Sequence, residues 1–241
     1  APDWQAAHAK LGGFYYNRGD YDRAIRSWQR QAELISESPR PYANLGAAFQ
    51  AKGNYEEALK AYDHSIRNQP SSSGFSNRGT CQYLLGRYDD AAASFEKSAE
   101  LAPDDPICWM NLGDARRWAS KQKEEAADAY ARAIRHASVV AAANPKDAMP
   151  RVVIAVSHAK SGDLAAAKKA IDEALRLDPT NAVVLYQAAV VCEVRGDRDA
   201  ALPWLGRAVA AGYPANDALR EPDLKALRDD PGFERTIRRE R

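Results

Sequence analysis

Long hydrophobic runs are missing from this 241-residue sequence; the longest apolar stretches are VVIAV at 152–156 and AAVV at 188–191. A bilayer-spanning helix needs about 20 apolar residues, so no membrane insertion is expected. An excess of charge is missing too. Thirty-four basic residues face thirty-three acidic ones, a formal net charge of +1, so no bulk field recruits nucleic acid or an anionic membrane. Cysteine is limited to Cys81, Cys108 and Cys192, an odd number of isolated residues. That argues against a disulfide framework and for reduced thiols in the core. It favours a cytoplasmic setting and leaves a periplasmic or exported one open. His8, His64, His136 and His158 are at least 22 residues apart, and none lies three or four places from another histidine or a cysteine, so no metal site is expected. There is no GxxxxGK followed by Ser or Thr, no strand-borne GxGxxG and no GxSxG. The carboxylate pairs Glu56-Glu57, Asp89-Asp90 and Glu124-Glu125 fall at helix starts, where acid suits the helix dipole. The chain is therefore not read as an enzyme, and no catalytic residue, metal or cofactor is assigned. It begins at Ala1 without methionine and with no visible signal peptide, so a trimmed, processed or partial chain is expected.

What the sequence does have is a period. Gly12, Gly46, Gly79 and Gly113 follow one another at intervals of 34, 33 and 34 residues. Around them the units read KLGGFYYNRGDYDRAIRSW, NLGAAFQAKGNYEEALKAY, NRGTCQYLLGRYDDAAASF and NLGDARRWASKQKEEAADAY. A fixed period of this length means stacked copies of one supersecondary unit. Glycine in mid-helix costs roughly 1 kcal/mol against alanine, so its recurrence argues for a close approach between helices. Ala24, Ala58 and Ala91 repeat in step and are expected to form the small-residue surface of the facing helix, with Tyr21, Tyr55, Tyr88 and Trp28, Tyr62, Phe95 filling the space between. Gly19, Gly53, Gly86, Gly162 and Gly196 each end an amphipathic stretch, as left-handed helix stops do. Pro70, Pro103 and Pro179 precede new first helices. Each unit is a helix, a tight turn and a second helix whose apolar face is buried only by stacking.

These motifs resemble the tetratricopeptide repeat family over roughly residues 4–212. The resemblance implies an all-α, right-handed superhelical solenoid of antiparallel helix pairs. About six repeats are expected, at 4–37, 38–71, 72–104, 105–146, 147–180 and 181–213, with a C-terminal cap and basic tail at 214–241, as a single domain over 1–241. The fifth unit departs from the pattern with Ile154-Ala155 and the sixth with Ala188-Ala189 and Leu205. Leu112 and Ile154 are 42 residues apart, an excess of about two helical turns. One long second helix over roughly 123–143 accommodates them, with Ala131, Ile134, Val139 and Ala142 as its apolar stripe. That extension is either a tolerated insertion or a ledge for a partner or a second copy. After Gly212, segments starting at Pro222 and Pro231 present Leu224, Leu227, Phe233 and Ile237 as inward residues of short capping helices; the basic end RTIRRER reads as a solvated tail.

In this family the first helices line a concave surface that receives extended peptides. Two places before the repeating glycine stand Asn44, Asn77 and Asn111. An amide there can donate to and accept from one peptide group, and the resemblance implies a peptide-holding ladder; capping or bridging to a neighbouring helix is the structural alternative. Helical spacing adds Arg40, Tyr83, Asp114, Arg117 and Trp118 to the same face, with Met110 nearby, although Tyr83 and Trp118 can equally be structural. Ala9 and Gly13, or Ala43 and Ala47, occupy the places where one subfamily carries the lysine and asparagine that clamp a C-terminal carboxylate, so that specificity is not expected. The leading expectation is a scaffold that binds a protein or peptide in its groove. The alternatives are a regulatory array within a larger bacterial signalling protein (a Ser/Thr kinase, cyclase or winged-helix regulator) and a homotypic assembly module.

Overall fold

Helix starts are written into the sequence. Asp20, Asp105, Asp163 and Asn181 accept from backbone N–H groups of the first turn that follows, and Pro39, Pro106 and Pro150 stand at the first or second position of their helices. The computed structural model of the protein describes residues 2–120 and 123–238. The first unit, Ala1–Ala102, contains α1 (Pro2–Asn17), α2 (Tyr21–Leu34), α3 (Pro39–Ala51), α4 (Tyr55–Asn68), α5 (Ser72–Leu84) and α6 (Tyr88–Leu101). The second, Pro103–Arg241, contains α7 (Pro106–Trp118), α8 (Ala126–Ala143), α9 (Met149–Ser161), α10 (Leu164–Leu177), α11 (Ala182–Val194), α12 (Arg198–Ala210), α13 (Ala215–Ala218) and α14 (Pro231–Arg238). Among the described residues there is no strand, and no helix is long and apolar enough to cross a membrane. Helices pack in consecutive pairs, and the second helix of a pair then meets the first helix of the next within each unit. Left-handed glycines make the turns, for example Gly53 at φ 79° and Gly162 at φ 94°.

The repeating mid-helix glycine proves to be a seat for a ring. A Cβ built on Gly46 would fall 2.5 Å from the Tyr62 ring, on Gly113 2.6 Å from Tyr130 and on Gly79 2.8 Å from Phe95; Trp28 fills the corresponding hollow at Gly12. The sequence reading placed small alanines opposite these glycines. Ala24, Ala58 and Ala91 are fully buried, but the aromatic side chain is what occupies the space the missing Cβ leaves.

The extended fourth pair differs from its sequence reading in two ways. Residues 123–125 form a 3₁₀ turn, so the helix begins at Ala126, and residues 121–122 of the expected turn lie outside the described residues. The buried face of α8 is Ala126, Ala129, Tyr130, Ala133 and Ala137, whereas Ala131 and Ala142 are exposed and Val139 is 67% exposed. Seating Tyr130 on Gly113 sets the rotation of α8 and turns the expected stripe outwards. The C-terminal segment does cover an apolar end: Leu224, Leu227 and Phe233 are buried, and Ile237 packs against the same cluster with Leu205 and Val190. Its elements are α13, 3₁₀ turns at Pro222–Leu224 and Leu227–Asp229, and α14; residues 239–241 of the expected tail lie outside the described residues.

The ring seats make a paired prediction. Gly46→Ala drives a methyl group into Tyr62, a strain of about 1–3 kcal/mol that outweighs the roughly 1 kcal/mol of helix propensity alanine gains. Gly13, in α1, has nothing within 4 Å of a Cβ, so Gly13→Ala should gain about 0.5–1 kcal/mol. Thermal unfolding should move in opposite directions for the two variants; stabilisation by both would contradict the seat.

Candidate functional site

Two residues before a ring seat is about 200° of helical rotation, so that position faces away from the partner helix. In the first unit this places Asn44 and Asn77 on the face made by the first helices, with Arg40 one turn before Asn44. Asn77 and Arg40 are exposed and Asn44 is half-buried; none of the three has a hydrogen bond or ion pair among the described residues. Around them the surface is small and polar: Ala43, Ala47 and Thr80 are half-buried and Ser73 is exposed. α3 and α5 carry arginine but no carboxylate. The ring seats reach this face from below. The Tyr62 hydroxyl donates to Gln50 Oε1 at 3.1 Å, and the Cys81 thiol points to the same oxygen at 3.6 Å. Tyr83 is buried, its ring edge-on to Tyr88 at 5.4 Å between centroids, so it serves packing there.

The corresponding face of the second unit is built differently. Asn111 is half-buried, Met110 is buried, and Trp118 is 37% exposed beneath the Arg117 guanidinium, 5.3 Å from its ring centre. Asp114 and Arg117, both read as groove contacts, are already engaged. The Tyr130 hydroxyl donates to Asp114 Oδ1 at 2.8 Å, and the Lys160 ammonium of α9 lies 2.8 Å from the same oxygen. Lys160 also stands 3.1 Å from Asp223 Oδ2, an ionic contact without hydrogen-bond geometry, while Arg117 donates to Asp223 Oδ1. The side chains of Lys160 and Asp223 are 3% and 2% exposed. Beside them, Glu221 Oε2 accepts from the Tyr186 hydroxyl at 3.2 Å, and Oε1 accepts from the Asp223 backbone N–H at 3.3 Å.

Charge explains why this cluster persists. Burial pulls the Lys160 ammonium towards its neutral form, but Asp114 and Asp223 outweigh it and raise its pKa above the ordinary lysine value. Burial pushes Asp223 up, yet Lys160 and Arg117 prevail and hold it below the usual carboxylate range. At Glu221 burial outweighs the attraction of Lys160 and raises its pKa. Burial, and then the neighbouring carboxylate, likewise raises Tyr130 beside Asp114 and Tyr186 beside Glu221, which keeps both phenols as donors.

Sequence reasoning missed Lys160, Glu221 and Asp223. Lys160 sits in the last turn of α9, where a cation reads as a partner of the helix dipole. Asp223 is 106 residues from Arg117, beyond any local spacing rule. The available signal was that Lys160 is the one lysine or arginine in the mostly apolar stretch VVIAVSHAK.

The tetratricopeptide repeat profile matches residues 43–106, 82–148 and 152–217, and a second profile of the same description matches 7–41. The Arabidopsis thaliana Hsp70-Hsp90 organizing protein 2 is 26% identical over 94 residues, covering 39% of this chain and 16% of that protein. The Bos taurus BBSome complex member BBS4 is 24% identical over 221 residues, covering 80% of this chain and 42% of that protein. The chain thus spans less than half the length of these curated relatives. Among solved structures, pilF of Pseudomonas aeruginosa matches with a TM-score of 0.58 at 19% identity, covering 97% of this chain and 96% of that one. A repeat protein from Parabacteroides merdae matches with a TM-score of 0.55 at 16% identity, covering 97% and 91%. At these identities the structures share the fold.

Removing the central cation should be costly. Lys160→Met leaves Asp114 and Asp223 buried without their shared partner and should lower stability by about 3–5 kcal/mol in urea unfolding. Glu221 and Asp223 should oppose each other in pH dependence. The raised Glu221 contributes stability at low pH that is lost as pH climbs above about 4.3 through its folded value; the depressed Asp223 contributes stability above about pH 3.9 that is lost as pH falls through its folded value. Glu221→Gln should therefore raise stability at pH 7 and remove its share of the decline above pH 4.3; an unchanged profile would contradict the assignment.

Proposed function

This chain belongs to the tetratricopeptide repeat family, and on that premise we propose that it is a non-catalytic scaffold whose first unit holds an extended segment of a partner protein on the face of α3 and α5. The observation that carries this reading is the pair Asn44 and Asn77, unpartnered and one repeat apart, on a surface of alanine, serine and threonine. A buried or exposed amide with free donor and acceptor seeks both from a ligand backbone, and a peptide group offers one of each. Small neighbours leave room for ligand side chains. Arg40, on a face without a carboxylate on α3 or α5, favours an acidic residue in the bound segment. The relatives named for organizing Hsp70 and Hsp90 and for membership of the BBSome are proteins named for assemblies, in keeping with a scaffold role. In the second unit Asp114 and Arg117 already hold the chain's own cation and carboxylate, so the open amides of the first unit are the better receptors.

Affinity capture followed by mass spectrometry, with the double variant Asn44→Ala and Asn77→Ala as control, tests this. Partners retained by the parent should be weakened in the double variant, by roughly 5- to 150-fold in affinity for a pair of peptide-group contacts worth about 0.5–1.5 kcal/mol each. Helicity and melting should not change. Equal capture by both proteins would overturn the reading.

A further inference from the structure

The segment from Leu219 to Asp230 lies on the first-helix side of the second unit as a ligand would. Its 3₁₀ turn at Pro222–Leu224 packs against α11. Within it Leu224 N–H donates to Glu221 O, Lys225 N–H to Pro222 O and Asp230 N–H to Leu227 O, each at 3.1 Å, while the N–H groups of Leu219, Arg220 and Glu221 donate back to Ala215 and Asp217 of α13. The Arg228 guanidinium donates to Glu221 O at 2.8 Å, again within the segment. Its polar ties to the repeats come from side chains on three successive first helices, while its second 3₁₀ turn also packs against α12. Arg117 of α7 and Lys160 of α9 take Asp223, and Tyr186 of α11 takes Glu221. Leu224 and Leu227 are the apolar anchors, both fully buried.

The receiving face is organised without the segment. Asp114 is held by the Tyr130 hydroxyl and by Lys160, and Tyr130 is itself fixed by its seat on Gly113. Lys160 therefore keeps one carboxylate when Asp223 leaves, so vacating the site strands no single charge. What remains is an ammonium, a guanidinium and a phenol donor spaced for two carboxylates two residues apart, followed by leucine.

We infer that this face is a receptor for acidic, leucine-bearing peptides, and that the protein keeps it filled with its own Glu-Pro-Asp-Leu segment. An external segment of the same chemistry gains access by displacing the internal one. The contact is thus autoinhibitory, and it is independent of the amides proposed to bind peptide in the first unit.

The test uses the full chain and a fluorescein-labelled synthetic peptide with the sequence of residues 219–230. Asp223→Asn weakens the internal segment while leaving Lys160, Arg117 and Tyr186 in place. By fluorescence anisotropy this variant should bind the peptide at least tenfold more tightly than the parent. Adding Lys160→Met, or replacing the peptide's Asp223 equivalent by asparagine, should abolish that gain. Equal binding by parent and variant, or a gain indifferent to Lys160, would overturn the inference. Should Asp223→Asn fail to fold, hydrogen exchange on the parent decides. The amides of Leu224 and Lys225, both hydrogen-bonded within the segment, should exchange through a local opening at least tenfold faster than those of Val184 to Val191; exchange of both sets only through global unfolding rejects a displaceable segment. Because the test leaves Asn44 and Asn77 untouched, its failure and that of the peptide-capture reading are separable.

Discussion

The aromatic ring seated where a glycine lacks its Cβ is the contact on which the rest of the structure depends. At Gly12, Gly46, Gly79 and Gly113 it brings the two helices of a pair close enough to share one core, and it fixes the rotation of the second helix about its axis. Rotation then decides which residues are buried, as α8 demonstrates by turning Val139 outwards. The same seat links packing to the functional face. Tyr62 and Tyr130 deliver a hydroxyl to Gln50 and Asp114, residues of the first helix one turn and one residue, respectively, beyond the seat glycine. A substitution in the core of a pair therefore reaches the surface on which a ligand is received.

The glycine period, the turn glycines and the inward residues of the cap were all legible in the sequence, because each is a local requirement repeated several times. Leu224, Leu227 and Phe233 could be read as inward from their spacing after proline. What could not be read was rotation and distance. The stripe Ala131, Ile134, Val139 and Ala142 is as regular as the buried set, and only the Tyr130 seat separates them. The partners of Asp114 and Arg117 lie far along the chain, at Lys160 and Asp223, and nothing near position 117 announces Asp223. Tyr83 shows the same limit, since an aromatic at a groove position packs inwards when a second ring, Tyr88, waits beside it.

The two units use their first helices differently. In the first, the side chains of Asn44, Asn77 and Arg40 have no partner among the described residues and stand on a surface of small side chains. In the second, Asp114, Arg117 and Lys160, placed just after the seat position, carry charge, and the chain supplies the opposite charge itself. Burying Lys160 and Asp223 is costly by itself, and the cost is offset because each has two oppositely charged neighbours and the remaining acid, Glu221, is eased towards its neutral form. Such a cluster contributes specificity of placement, holding one segment in one register, more than it contributes raw stability.

A site-specific photo-crosslink gives the most direct view of this division between an open and a filled face. Benzoylphenylalanine placed at Thr80 of α5 and, separately, at Trp118 of α7, which is part-exposed and shares a surface hollow with Pro222 and Asp223, should report on each in turn when a captured partner is irradiated. Partner adducts are expected from position 80 and, from position 118, adducts only to the chain's own residues 219–230. Partner adducts from position 118 with none from position 80 would contradict this division.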